Sequence, residues 1–216
     1  MIQKKKFKIT EKDGYLFSKK SGDTNKIHLD ERYSYNSIFG NKICFGAQIL
    51  IKKIDILKID LNKKSFFKIS FNQPAYYNEP INLIIFKKKN IKLINLFQFE
   101  KFIGKLEFEE KYYIPEKKNR SLLAKPNLNF KRIHKNQNKI DILKNLLMRL
   151  SKYVGVYNPG ANSLLTEIEV FYDEKFKNDK FKIFSKKFDN RFNILDNLNE
   201  YKNFKIFFKS LERPKF

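Results

Sequence analysis

The sequence predicts an α+β chain, and three observations predict it. An apolar helix followed by a run of strands occurs twice along the 216 residues. The strand stretches alternate apolar and polar residues with period two, the mark of antiparallel strands buried on one face. Apolar residues make up 42% and charged residues 32%, a balance that packs a core and excludes a disordered polymer. The length suits one or two compact domains. Cys44 is the only cysteine, which excludes an internal disulfide and fits a reducing, cytoplasmic compartment.

Thr10-Glu-Lys-Asp13 has capping-box spacing and opens a helix over 11–20 that Gly22 closes. After Gly46, the side chains of Ala47, Leu50, Ile51, Ile54 and Leu57 share one helical face. Ile49 adds apolar surface beside them, so this helix is well buried. Strand alternation follows in Phe67-Lys-Ile69-Ser-Phe71 and again over 105–109, with the Ile-, Leu- and Phe-rich stretches 81–86 and 91–99 between. Pro74 and Pro80 bracket a turn or an edge segment.

Residues 115–138, with Pro115 and Pro126, read as a linker, dividing the chain into 1–115 and 116–216. Leu143, Leu146, Leu147, Leu150 and Val154 then fall at helical spacing. That helix ends near Gly155, and strands follow over 164–172, 180–188 and 202–209. The repeat lies in the order of elements, not in residue identity.

The formal charge is +23, from 46 Lys and Arg against 23 Asp and Glu. Only six of the 46 are arginine, the residue suited to bidentate reading of bases and phosphates. With abundant Asn, Ile and Phe and no Trp, the skew fits an AT-rich genome acting on a tolerant surface better than a nucleic-acid footprint. A solvated face accounts for the same charges, and a basic surface also attracts a polyphosphate or an acidic carrier protein. The longest apolar run, Leu83 to Phe86, is far short of the roughly 20 residues a membrane helix needs. The basic N-terminus has no apolar stretch behind it and is not expected to be a secretory signal.

Chemistry concentrates in one segment. Asp23 precedes His28 by five residues in a loop bearing Gly22 and Asn25, and Gly46 stands at the start of the buried helix. A carboxylate and an imidazole can orient one water and pass its protons. A helix-start N–H can hold an enolate-like oxyanion. The residues alone leave another reading open, in which Asp23 caps a turn and His28 is structural. His134 has no carboxylate nearby in sequence and reads as a surface histidine. Tyr157-Asn-Pro-Gly-Ala-Asn-Ser163 reads as a helix-to-strand connector, and Cys44, between Ile43 and Phe45, as core.

Residues 17–34 resemble the signature of the MaoC-like, (R)-specific enoyl-CoA hydratase family. Ser21, Gly22, Asp23, Asn25, Ile27, His28 and Ser34 match its spaced positions. Phe39-Gly40 and Gly46 continue the likeness, which covers about 10–57, and Phe71-Asn-Gln-Pro74 extends it weakly. Three positions depart: Lys26 replaces a proline, Phe45 a histidine, and Ile54 a serine that assists substrate binding in some members.

The resemblance implies a double hotdog, two antiparallel sheets each wrapped on a long central helix and packed as a pseudo-dimer. It implies hydration of a trans-2-enoyl thioester, or dehydration of an (R)-3-hydroxyacyl thioester, on coenzyme A or acyl carrier protein. Asp23 and His28 would hold the catalytic water, the Gly46 N–H would polarise the thioester carbonyl, and Asn25 would belong to the substrate loop. No cofactor and no metal is implied, and no membrane or nucleic-acid partner. The assembly would be a monomeric pseudo-dimer or a homodimer. The departures leave a non-catalytic hotdog binding or scaffold protein, in an acyl or saccharide pathway, as the rival.

Overall fold

The structure, a computed structural model, describes residues 2–61, 64–110, 123–124, 137–160, 163–177, 182–189 and 194–212. The first half contains β1 (Ile2–Lys8), α1 (Glu11–Ser21), a single 3-10 turn (Lys26–His28), α2 (Glu31–Tyr35) and α3 (Gly46–Leu57). It continues through β2 (Lys64–Phe71), β3 (Pro80–Lys88), β4 (Ile91–Gln98) and β5 (Lys101–Glu110). The second half contains β6 (Leu123–Ala124), α4 (Lys139–Lys152), a π turn (Tyr153–Tyr157), β7 (Ser163–Asp173), β8 (Lys182–Asp189), β9 (Ile194–Tyr201) and β10 (Phe204–Glu212). His134 and most of the expected linker lie outside the described residues.

The strands form one ten-stranded sheet in the order β1-β3-β4-β5-β2-β7-β10-β9-β8-β6. Read outward from the centre, both halves have one order: β2-β5-β4-β3-β1 and β7-β10-β9-β8-β6. The repeat of elements expected from sequence is therefore a repeat of topology. The expectation of two separate sheets is corrected, because β2 and β7 pair antiparallel, with Ser65 opposite Tyr172, Phe67 opposite Val170 and Ile69 opposite Ile168. Each half alone would end on an open edge there, and pairing satisfies both rows of backbone groups at once.

Alternation decides which face is covered. Phe67, Ile69, Leu106, Phe108, Ile168 and Val170 are all buried on the helix side. On the other face of the junction Lys68 bridges Glu167 at 3.0 Å and Glu169 at 2.8 Å. Burial draws the Lys68 amine down, but the two carboxylates outweigh it and hold its pKa above the ordinary value. This ion pair is partly exposed and contributes up to about 1 kcal/mol. Each buried Ile, Val or Phe contributes roughly 1.5–3 kcal/mol, so the apolar face dominates the junction.

α1, α3 and α4 form where the capping box and the helical spacing placed them, whereas α2 was not expected. α1 carries the full Thr10–Asp13 capping box and ends at Gly22 in the left-handed region, φ 74°. α3 begins at Gly46 and buries Ala47, Ile49, Leu50 and Ile54. α4 buries Leu143, Leu146, Leu147 and Leu150 and packs on both α1 and α3. Its N-cap is Asn138, whose side chain accepts from the Asp141 N–H. Among the described residues, no helix is long and apolar enough to cross a membrane. β1 and β9 were not expected. Their sequences, IQKKKFK and ILDNLNEY, lack an apolar alternation, and they are strands because β3, β8 and β10 offer them backbone partners.

Candidate active site

The loop after α1 is pinned by its own side chains. The Gly22 N–H donates to the Ser18 carbonyl at 2.7 Å, and the Ser18 hydroxyl donates to the Asp23 carbonyl at 2.6 Å. The Asp23 Oδ1 accepts from the Asn25 N–H at 3.1 Å. The Asn25 Oδ1 accepts from the Ile27 N–H at 3.4 Å and caps the 3-10 turn. Lys26, where the resemblance expects proline, is exposed on this turn. Side-chain capping supplies the order that a proline ring would have given.

The turn delivers His28 to the site. Its Nδ1 lies 2.8 Å from the Ile43 carbonyl, an acceptor, so Nδ1 carries the proton and donates. In the neutral ring Nε2 then holds the lone pair. Phe45 lies against the imidazole, with ring centroids 4.0 Å apart and a tilt of 35°. The departure from histidine at this position thus places an apolar plate over the His28 ring.

Asp23 is 2% exposed. Its Oδ2 accepts from the Ser151 hydroxyl at 2.6 Å. Ser151 lies on α4, in the other half of the chain. Burial raises the carboxyl from the ordinary 3.8, while the Ser151 and Asn25 hydrogen bonds pull it back, and the balance is about 6. The backbone of Gly155, in the π turn after α4, comes so close that a Cβ there would overlap the Asp23 carboxylate. π turns recur where a helix must re-aim its backbone at a site.

These groups line one cavity of about 200 Å³. The first half contributes Asp23, Asn25, His28, Gly46, Ile49 and Phe71, and the second contributes Ser151, Val154, Gly155, Ser163 and Leu165. All four residues singled out in the sequence are therefore brought to one space. Gly46 is the first residue of α3, so the helix itself offers its N–H no acceptor. A Cβ at Gly46 would sit 3.0 Å from the Phe71 ring, so the glycine keeps room at this wall. Ile54 is buried in the core and does not line the cavity. Cys44 is buried at the cavity wall, and burial raises its thiol pKa above the ordinary value.

Sequence reasoning missed Ser151, Gly155 and Ser163. The connector before β7 also belongs to the site, since the Ser163 carbonyl accepts from the Asn25 side-chain amide at 3.0 Å. A signal was present: Ser151 is a small polar residue on the leucine-rich face of α4, and Gly155 continues that face.

No protein-family model matches the chain, and no curated protein sequence matches it. Solved structures do. A MaoC-like dehydratase superposes with a TM-score of 0.55 at 8% identity, over 99% of this chain and 98% of its own. The chain has the hotdog fold. An acyl-CoA thioesterase II from Mycobacterium marinum shares this hotdog likeness, with a TM-score of 0.51 at 9% identity over 81% of this chain and 91% of its own. An (R)-hydratase from A. caviae, involved in PHA biosynthesis, matches half of this chain and 93% of its own at 17% identity, with a TM-score of 0.40.

Proposed function

We propose that the cavity hydrates a trans-2-enoyl thioester to the (R)-3-hydroxyacyl thioester, or runs the reverse dehydration, within the MaoC-like family. The observation that carries this reading is the pairing of unlike proton carriers in one small cavity. Asp23 is a buried carboxyl raised to about 6, and His28 has its tautomer set by the Ile43 carbonyl. Groups with unlike environments divide the acid and base roles.

In the proposed reaction a water lies between the Asp23 carboxylate and His28 Nε2. The pair carries one proton between its two groups: as the water oxygen bonds to C3 of the enoyl chain, the unprotonated group takes the water's proton and the protonated one delivers its own to C2. Electron density moves onto the thioester oxygen, where the Gly46 N–H at the positive end of α3 stabilises it. Asn25 holds the loop between the halves. The reaction as proposed needs no cofactor. The acyl carrier is coenzyme A or acyl carrier protein, both anionic, which suits the +23 charge.

On this reading residues 1–115 and 116–216 are the two units of a double hotdog, the first with the motif and the second completing the site. The chain would act as a monomeric pseudo-dimer or a homodimer of it. Thioester hydrolysis is the second reading, favoured by the thioesterase likeness over 81% of the chain. There the water would attack the thioester carbon itself. A non-catalytic binding role is favoured by Phe45, which covers one face of His28. A short enoyl-CoA panel separates all three: loss of enoyl absorbance without thiol release marks hydration, thiol release marks hydrolysis, and calorimetric binding with neither marks a binding role.

A further inference from the structure

Lys53 is 0% exposed. Among the described residues it is the one lysine in the buried set, and its Nζ has no hydrogen-bond partner there. Lysine is abundant on this surface, and abundance alone puts it where water reaches the amine. An enclosed amine without a partner is costly in a way a surface lysine is not. Burial alone pulls its pKa well below the ordinary value.

Its place in the fold gives the amine a use. Gly46, Ile49 and Lys53 follow one another on one face of α3, at i, i+3 and i+7. Gly46 and Ile49 line the cavity, so Lys53 stands one turn farther on, about 10 Å along the axis from Gly46. Side chains on a helix lean toward its N-terminus, which aims Lys53 back at the cavity. Phe71 lies between them: its ring is the group a Cβ at Gly46 would meet at 3.0 Å, and its centroid is 5.9 Å from the Lys53 Nζ. Phe71 is the last residue of β2 and only half-buried.

We infer that Lys53 is a specificity residue at the inner end of the acyl pocket, reached when the Phe71 ring turns aside, and that it selects a medium-length acyl chain ending in a carboxylate. This rests on the reading of the cavity as a thioester site. With the thioester oxygen at Gly46, the far end of such a chain lies beside Lys53. The amine takes up a proton from solvent as the carboxylate arrives, and two groups costly to bury alone satisfy each other as a charge-assisted hydrogen bond. A plain alkyl chain leaves the amine unpaired and is disfavoured for that reason.

The test is calorimetric binding of two saturated thioesters, which hydration cannot consume: octanoyl-CoA and its counterpart with a terminal carboxylate in place of the methyl, with thiol release followed in parallel. The wild-type protein is expected to bind the carboxyl-terminated chain about tenfold tighter or better, and Lys53→Met is expected to abolish or invert that preference. If Lys53→Met does not fold, Lys53→Gln serves in its place. Equal or weaker binding of the carboxyl-terminated chain by wild type overturns the role of Lys53, as does an undiminished preference in the folded Lys53 variant. Binding of neither thioester overturns the thioester reading itself, and this inference with it.

Discussion

Asp23 illustrates how one residue can serve a site at the expense of the fold. Its folded pKa of about 6 lies above the unfolded 3.8, so the folded state holds the proton more tightly. Stability linked to this group is present below pH about 4 and is lost as pH rises through about 6. A difference of that size amounts to roughly 3 kcal/mol above pH 6. Asp23→Asn removes the charge while keeping an acceptor for the Asn25 N–H. Thermal melts at pH 7.5 should show the variant more stable than wild type, while hydration falls by two orders of magnitude or more. Ser151→Ala acts in the opposite sense on the proton. It deletes a hydrogen bond that lowers the carboxyl pKa, so the ascending limb of the pH–rate profile should move to higher pH. An unmoved limb would separate Asp23 from that limb. Asp23, Asn25 and His28 were legible because they sit within six residues of one another. Ser151, 128 positions from Asp23, carries no motif and enters the site only through the packing of α4.

At the scale of elements, α3 presents Gly46 and α4 presents Ser151. Phe45 has extended backbone, φ −64° and ψ 130°, which accommodates a following proline, and proline is tolerated at the first helical position. Gly46→Pro and Gly46→Ala both add a Cβ against Phe71, but only proline removes the N–H. The rate difference between the two variants therefore isolates the donor, and should be about 10²–10³-fold if it acts as oxyanion-hole donors do. Equal rates would assign the oxyanion to another group. Helix faces were legible because 3.6-residue periodicity survives in apolar side chains. β9 was not, because Asn197 and Asn199 are buried where alternation predicts apolar residues. Asn197 compensates by donating to the Phe208 carbonyl and the Ser210 hydroxyl.

At the scale of the whole molecule, the β2–β7 pairing makes the two halves one sheet and puts the cavity between them. The order of elements foretold the repeat, but alternation alone could not show that two edges meet. That depends on which backbone rows are left open. The charge of +23 belongs to this scale as well. An anionic acyl carrier should bind with an affinity that falls as salt rises from low to physiological strength, where screening extends about 8 Å. Salt-independent affinity would remove the basic surface from recognition.

The most direct measurement follows enoyl absorbance and thiol release together, on short trans-2-enoyl-CoA substrates, for wild type, Asp23→Asn, His28→Ala and the double variant. Wild type is expected to hydrate these substrates without releasing thiol. Each single variant is expected to lose most of that rate, and the double variant to be little worse than either, because both side chains serve one water. Thiol release without hydration, or folded single variants that hydrate at wild-type rates, would overturn the assignment of Asp23 and His28 to hydration.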